Sequence, residues 1–204
     1  MKKFKVNIET EEDNPILRKK SEVVRDFAGI TPTGELKLGE FVQEMKKVLD
    51  NEKGLGLAAP QVGENIRLIL CRLNAGTSSE VVFVMVNPEV IERSDGLGEE
   101  DRAVWDPSWG EVKRGAVSPD GKVEVDEEGC LSLPNYYVNV VRAREIVVKF
   151  LDGGVLLKKG KGFRGNGPDG GLNQMVLKLE GLNARVIQHE IDHLNAVMIC
   201  DKVV

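Results

Sequence analysis

The chain has 204 residues with 28 basic and 33 acidic side chains, and its formal net charge is −5. This length suits one well-buried core and the charge offers no basic surface for a nucleic-acid backbone, so we expect a single domain over residues 1–204 with no nucleic-acid binding. Three cysteines at unrelated spacings argue against a disulfide framework, and no run of about 18 apolar residues could cross a membrane, so we expect a protein of a reducing compartment, the cytoplasm.

The first predicted element is a helix. Apolar residues from Leu38 to Leu49 recur at helical spacing, and Gly54 is placed to end the helix. Short apolar and β-branched runs then predict three strands, the second of them closed by Asn87–Pro88, at residues 66–73, 81–86 and 145–151.

Two glycine-rich stretches look like expanded loops, at about 94–127 and 153–175. The first contains both tryptophans of the chain, Trp105 and Trp109. Loops of this length inside a compact domain tend to be functional lids or disordered segments, and the sequence leaves both possibilities open.

The last predicted element is a helix over residues 182–194. Apolar side chains fall on more than one of its faces, which is typical of a buried, central helix. One face carries Leu182, Val186, His189 and His193.

His189 and His193 are the only two histidines of the chain. Four residues apart on a helix, both can bind one cation, and Glu190 is placed to act as a general base on water at an open coordination position. An amphipathic helix with two incidental histidines is the alternative. The arrangement His-Glu-x-x-His favours the metal site over it.

A catalytic site of this type needs a third protein ligand, here Cys, Asp or Glu. Cys71 lies inside an apolar run and Cys200 follows the last helix, so both are expected to pack as small core side chains. Cys130 follows a glycine in Glu-Glu-Gly-Cys-Leu-Ser-Leu-Pro, a context suited to close backbone approach. An ordinary buried cysteine stays an open alternative there.

The stretch Gly54-Leu-Gly-Leu-Ala-Ala-Pro-Gln61 allows the backbone to pass close to a ligand. It lacks the lysine and hydroxyl of a phosphate loop. Gln61 could donate an amide hydrogen bond to a developing oxyanion, and a tight turn without such a role is the alternative.

Three segments, in this order, resemble the motifs of the peptide deformylase family: Gly54-Leu-Gly-Leu-Ala-Ala-Pro-Gln61, Glu128-Gly-Cys-Leu-Ser132 and Gln188-His-Glu-Ile-Asp-His193. The resemblance covers most of the chain apart from the two expansions. It implies an α+β fold in which antiparallel or mixed β-sheets pack around a central buried helix that carries the His-Glu-x-x-His motif. It also implies a hydrolase that removes the formyl group from the N-terminal formylmethionine of newly made polypeptides and releases formate.

The resemblance further implies how the reaction is divided among residues. Glu190 would transfer the proton, Gln61 and the backbone N–H of Leu131 would stabilise the oxyanion, and Gly129 would lie near the formyl group. One divalent ion would be bound, Fe²⁺ in the cell with Zn²⁺, Ni²⁺ or Co²⁺ able to replace it, and its ligands would be Cys130, His189 and His193.

Substrate binding follows partly from the resemblance and partly from the helix face. Leu182 and Val186 would open an apolar pocket beside the ion for the methionine side chain, and Leu55 would lie opposite them. The wall of the pocket that contains Leu55 comprises Gly54, Leu55, Gly56 and Leu57. The substrate backbone would pair with the backbone of this wall as an added β-strand. We further expect Arg142 to pair with Glu128 or Asp192 and hold the cysteine loop against the helix, an exposed arginine being the alternative.

The expected partners are formyl-methionyl peptide N-termini, with transient proximity to the ribosome. We expect a monomer in the cytoplasm, or in an organelle if a targeting peptide has been removed.

Two features depart from the family pattern. Ala196 stands where the family usually has glycine, and one methyl group there should cost little unless the backbone needs a positive φ. The expanded stretch 94–127 adds the segment from Trp105 to Trp109, which we expect near the rim of the cleft because paired aromatic residues in a loop seldom lack packing partners.

Other functions are less well supported. A conventional zinc protease would need a third ligand downstream of His193, where Asp201 is the only acidic residue. A structural metal module would need four closed ligands. A catalytically inactive homologue that binds peptide N-termini is the remaining alternative.

Overall fold

A five-stranded antiparallel sheet, a separate two-stranded hairpin and two α-helices make up the regular structure that the computed structural model describes, which covers residues 8–34, 36–98, 103–158, 167 and 171–204. The helices are α1, Leu38–Asn51, and α2, Gly181–Leu194. The strands are β1, Gly56–Ala58; β2, Leu68–Leu73; β3, Val81–Arg93; β4, Val123–Cys130; β5, Leu133–Ala143; β6, Glu145–Asp152; and β7, Gln174–Glu180.

The large sheet has the strand order β1-β2-β3-β6-β7, with every neighbouring pair antiparallel. The short strand β1 therefore lies at one edge. Helix α1 packs on one apolar cluster, whereas α2 packs on a second cluster with Ile69, Met85 and Phe150. Helix α2 contacts β1, β2, β3, β5, β6 and β7, so the α+β fold with a central buried helix is as predicted.

The end of α1 differs from the prediction. The helix ends at Asn51, and Lys53 rather than Gly54 adopts the left-handed conformation, with a φ of 53°. Gly54 instead donates its N–H to the carbonyl of Leu49 over 3.0 Å. This bond satisfies a carbonyl at the helix end and turns the chain directly into the wall that precedes β1.

The strand β3 continues well past the predicted end at Asn87–Pro88. Its register against β6 shifts between Val86 and Glu89, and Asn87 has a φ of 51°. A bulge of this kind accommodates proline, which has no N–H to donate to the ladder. The expectation that Asn87–Pro88 closes the strand was therefore wrong.

The two stretches predicted as loops contain regular structure. Strand β4 begins inside the first, at Val123, and β7 begins inside the second, at Gln174. Residues 159–166 and 168–170 of the second stretch lie outside the described residues. Each of the two stretches also contains a short 3₁₀ helix, Pro107–Trp109 in the first and Gly153–Leu157 in the second.

Within the described part of the chain, neither helix has the length and apolar character needed to cross a bilayer.

Candidate metal centre

The metal centre predicted from Cys130, His189 and His193 is assembled in the structure. Helix α2 presents both histidines one turn apart, and Cys130 ends strand β4. The ligand atoms of the three residues lie within 4.8 Å of one another, and Cys130 Sγ is 3.3 Å from His193 Nε2. Cys71 is fully buried in the core as expected, whereas Cys200 is only half-buried.

The donor set fits a divalent transition metal. A thiolate and two imidazoles are soft and borderline ligands, and three of them leave one coordination position open. His189 donates from Nδ1 to Glu128 Oε2 over 2.9 Å, which leaves its Nε2 for an ion. His193 Nδ1 is buried and has no hydrogen-bond partner among the described residues, whereas Nε2 lies 3.3 Å from Cys130 Sγ and so faces the other ligands.

The electrostatics of the site favour ligation. Burial by itself would raise the pKa of the Cys130 thiol, but the charge of His193 and hydrogen bonds from both histidines lower that pKa to about 5. A thiolate is the form of cysteine that binds metal ions. Cys130 is therefore prepared as a ligand by its neighbours.

Glu190 lies beside the ligands as predicted. Burial raises the pKa of its carboxyl to about 7, against the opposing charges of His189 and His193. Its Oε2 is buried and has no partner among the described residues. A carboxyl group with such a pKa and an uncommitted oxygen can gain and lose a proton near neutral pH.

Gly56 has a packing role that the sequence did not reveal. A Cβ atom on Gly56 would lie 2.2 Å from Glu190 Oε1 and 2.6 Å from its Cγ and Cδ. Real Cβ atoms do not approach so closely, so any other residue at position 56 would force the Glu190 side chain to move. Gly56 thus allows the close approach of the edge strand to Glu190.

Gln61 is held rigidly beside Cys130. Its Oε1 accepts the N–H of Ala58 over 2.8 Å, and its Nε2 lies 3.5 Å from Cys130 Sγ and 3.3 Å from Ser132 Oγ. The amide orientation is therefore fixed, with the N–H groups directed toward the metal ligands. Leu131 lies next to Cys130 and also lines the cleft.

Glu128 is the centre of a buried charge network. Arg142 donates to both of its oxygens over 2.8 Å, Arg185 donates to Oε1 over 2.7 Å, and His189 donates to Oε2. Burial alone would raise the pKa of Glu128, but the charge and hydrogen bonds of Arg142 outweigh it and hold that pKa well below its usual range. Arg142 also bonds Asp192, so it pairs with both predicted partners.

Two members of this network were missed from the sequence. Arg185 is 4% exposed on α2, and Lys202 binds Asp192 Oδ1 with its Nζ at 3.0 Å. A signal existed for Arg185, since a charged residue four positions before His189 on a buried helix faces the same way as that ligand. Lys202 gave none, because its contact depends on how the chain returns after α2.

A cleft of about 440 Å³ opens beside the ligands. Most of the residues expected to bind substrate line it, namely Gly54, Leu55, Gly56, Gly129, Leu182 and Val186. Leu57 does not, because its side chain is fully buried in the core cluster of α1 and its backbone pairs with Leu70 of β2, so neither part faces the cleft. Arg185 and Tyr137 join the lining, so the pocket is less apolar than expected.

The tryptophan segment lies away from the cleft. Trp105 packs with Ala103, Val123, Val125 and Val141, and its ring meets that of Trp109 edge to face at 5.4 Å. Val123 and Val125 alternate along β4 with Glu124 and Glu128, whose side chains contact Arg185 of α2. The tryptophans therefore cover the opposite face of the hairpin, and the expectation that they lie at the cleft rim was wrong.

The backbone after α2 shows that one departure from the motif pattern carries a cost. Ala196 has a φ of 63°, which is the condition under which its methyl group carries a cost.

Comparisons with known proteins agree with this geometry. The family model of polypeptide deformylase matches residues 7–155 and 166–204. Peptide deformylase 2 of Prochlorococcus marinus is 34% identical over 164 residues, which are 80% of this chain but 60% of that protein, less than two thirds of its length. The peptide deformylase of Caldicellulosiruptor bescii is 34% identical over 197 residues, 97% of this chain and 84% of the relative. The crystal structure of peptide deformylase from Thermotoga maritima aligns with a TM-score of 0.66 at 28% identity, covering 98% of this chain and 99% of that one.

Proposed function

This chain belongs to the polypeptide deformylase family of metal-dependent hydrolases, which remove the formyl group from N-terminal formylmethionine, and on that premise we propose how its own residues carry out the reaction. The observation that carries the proposal is the convergence of Cys130, His189 and His193 beside the buried carboxyl of Glu190. These three residues hold one divalent ion, which supplies Lewis-acid activation of water when bound.

Glu190 moves the proton in this proposal. Its carboxylate takes a proton from the water that attacks the formyl carbon, and it then delivers that proton to the amine as the C–N bond breaks. The products are formate and a peptide with a free methionine N-terminus.

Gln61 and Leu131 stabilise the oxygen that becomes negative during the attack. The Nε2 of Gln61 points toward the ligand set because Ala58 and Ser132 fix both ends of its amide. The backbone N–H of Leu131 is the second donor. Donors that are oriented in advance need no rearrangement as charge develops.

The methionine side chain enters the cleft between Leu182, Val186 and Leu55, while the substrate backbone pairs with the open edge of β1. Gly129 lies near the formyl group. Tyr137 covers this glycine so closely that a Cβ atom there would be 2.6 Å from the tyrosine ring.

Several further points belong to the proposal. The ion is Fe²⁺ in the cell, with Zn²⁺, Ni²⁺ or Co²⁺ able to occupy the same site. The enzyme acts as a monomeric, single catalytic domain of residues 1–204 on formylated nascent peptides near the ribosome. The thiolate ligand and the free cysteines fit the cytoplasm or another reducing compartment.

The decisive experiment measures formate release from a short formyl-methionyl peptide by protein purified anaerobically, with its metal quantified. We expect turnover by iron- or nickel-loaded protein. Glu190→Gln should keep the metal and lose about 10²- to 10⁴-fold in kcat, because only proton transfer is removed.

Cys130→Ala is the matched control, since it should lose the metal itself. Absence of formate release by metal-loaded wild-type protein would contradict the proposal and leave the inactive peptide-binding homologue. Metal loss in Glu190→Gln would show instead that Glu190 is a ligand.

A further inference from the structure

We propose that Arg72 is a positioning residue that holds the wall of the cleft in the geometry that receives the substrate backbone. The inference rests on the proposed function, because that wall is the segment expected to pair with the peptide. Arg72 lies on β2, behind the wall, and is not among the described residues that line the cleft. It acts through Gly54 and Leu55, without touching the reacting atoms.

Arg72 binds two consecutive carbonyl groups of the wall. Its backbone N–H donates to the carbonyl of Leu55 over 2.7 Å, and its side-chain Nε–H donates to the carbonyl of Gly54 over 3.3 Å. The first bond belongs to the sheet and would form with any residue except proline. The second exists only because position 72 is arginine, and it fixes the peptide plane just before β1 begins.

The guanidinium of Arg72 is itself anchored on two sides. Its Nη2 contacts Asp50 Oδ1 at 2.9 Å in the last turn of α1, and its Nη1 contacts Glu80 Oε1 at 2.8 Å in the turn before β3. Glu80 is further held by the N–H of Gly76 over 2.9 Å. The Arg72 side chain is 19% exposed, and its partners Asp50 and Glu80 are 43% and 34% exposed, so two ion pairs on opposite sides, and not burial, hold the guanidinium in one orientation.

The hydrogen-bond pattern of the sheet explains why the bond from Arg72 to Gly54 matters for substrate binding. In an antiparallel pair, bonding to the neighbour alternates along a strand. Leu55 bonds to β2, so the N–H and carbonyl of Gly56 face the open edge of the sheet. Ala58 agrees with this alternation, since its N–H turns to the Gln61 side chain instead of β2. Tilting the Gly54–Leu55 peptide would misdirect the Gly56 groups that an extended substrate needs.

The experiment compares two substrates that use the wall to different extents. Formyl-methionine alone places only its formyl group and side chain in the cleft, whereas formyl-Met-Ala-Ala also needs backbone pairing. For Arg72→Met we expect KM for the tripeptide to rise about tenfold, the effect of losing roughly one hydrogen bond. Its kcat, its metal content and its kcat/KM for formyl-methionine should stay within about twofold of wild type.

Two further variants separate positioning from general stability. Arg72→Lys keeps a charge between Asp50 and Glu80 but has a methylene in place of Nε, so it should regain thermal stability without regaining the tripeptide KM. Glu80→Gln weakens the anchor and leaves the bond to Gly54, so it should raise KM less than Arg72→Met.

Equal losses on both substrates, or no change on either, would overturn the role of Arg72. Binding of the product Met-Ala-Ala, measured by calorimetry, gives a second test that needs no turnover, and Arg72→Met should bind it about tenfold more weakly. If wild-type protein released no formate, the proposed function would fail. The product-binding comparison would still decide whether Arg72 positions the wall.

Discussion

Around Val141 and Arg142, both faces of the β4–β5 hairpin are buried, but by opposite means. Toward α2 it presents Glu124, Glu128 and Arg142, whose side chains make ion pairs and hydrogen bonds. Away from α2 it presents Val123 and Val125 to the tryptophan cluster. An apolar face stabilises the fold by burying area, whereas a buried charge network gains little net stability and mainly fixes geometry.

The charged inner face of the hairpin is the one that positions the metal ligands. Glu128 directs His189 through Nδ1, and its other hydrogen bonds come from Arg142 on β5 and Arg185 on α2. The inner face of the hairpin thus links all three elements around the ligands. The outer face, with Trp105 at its centre, keeps the hairpin folded and touches none of the ligands.

Arg142→Met changes the inner face of the hairpin and should have the largest effect on stability and on metal binding. The change leaves the buried carboxylates of Glu128 and Asp192 without their shared partner, which should cost about 3–5 kcal/mol in the free energy of unfolding. Misdirection of His189 should also weaken metal binding by about 10- to 100-fold. Urea unfolding and metal titration of the same preparation measure both quantities. Unchanged metal affinity would mean that the inner face is purely structural.

Trp105→Ala tests the outer face and should have the next largest effect. Trp105 is 8% exposed, so its truncation should cost about 3 kcal/mol of stability through lost burial and a cavity. Metal affinity, and turnover per folded molecule, should match wild type. Trp109→Ala is the control, with a smaller loss because this residue is only partly buried. A raised KM in either variant would contradict this and show that the tryptophan segment affects substrate binding.

Ala196→Gly should have the smallest effect on stability. Ala196 lies on neither face of the hairpin, so this variant serves as a reference for the other two. Because Ala196 has a φ of 63°, glycine should stabilise the protein by about 1 kcal/mol or less, the strain relief being partly offset by the greater freedom of the unfolded chain. Thermal unfolding measures this gain, and metal content should not change. A decrease in the unfolding temperature would show that the methyl group makes contacts that outweigh the strain.

Sequence reasoning succeeded where function depends on spacing along one element. The helical repeat predicted that His189 and His193 share one face and that α2 is a central helix. The motif Glu128-Gly-Cys-Leu-Ser132 indicated Cys130 as a third ligand. It failed for β4 and β5, whose buried positions include charged residues such as Glu128 and Arg142 and so lack an apolar alternation. In β7 the alternation of Met175, Leu177 and Leu179 was present, but no strand was predicted there, and the expected loop reached as far as residue 175.

The sequence by itself determined the last helix and the face that carries His189 and His193, because these follow from local periodicity, whereas Cys130 as the third ligand was implied by the family resemblance. Only the tertiary structure decided that Gly56 must pass against Glu190, that Leu57 turns into the core and that Arg72 braces the wall. The physical reason is strand register. A slip of one residue would send every side chain of β1 to the other face, and register is fixed by pairing with residues distant in the chain.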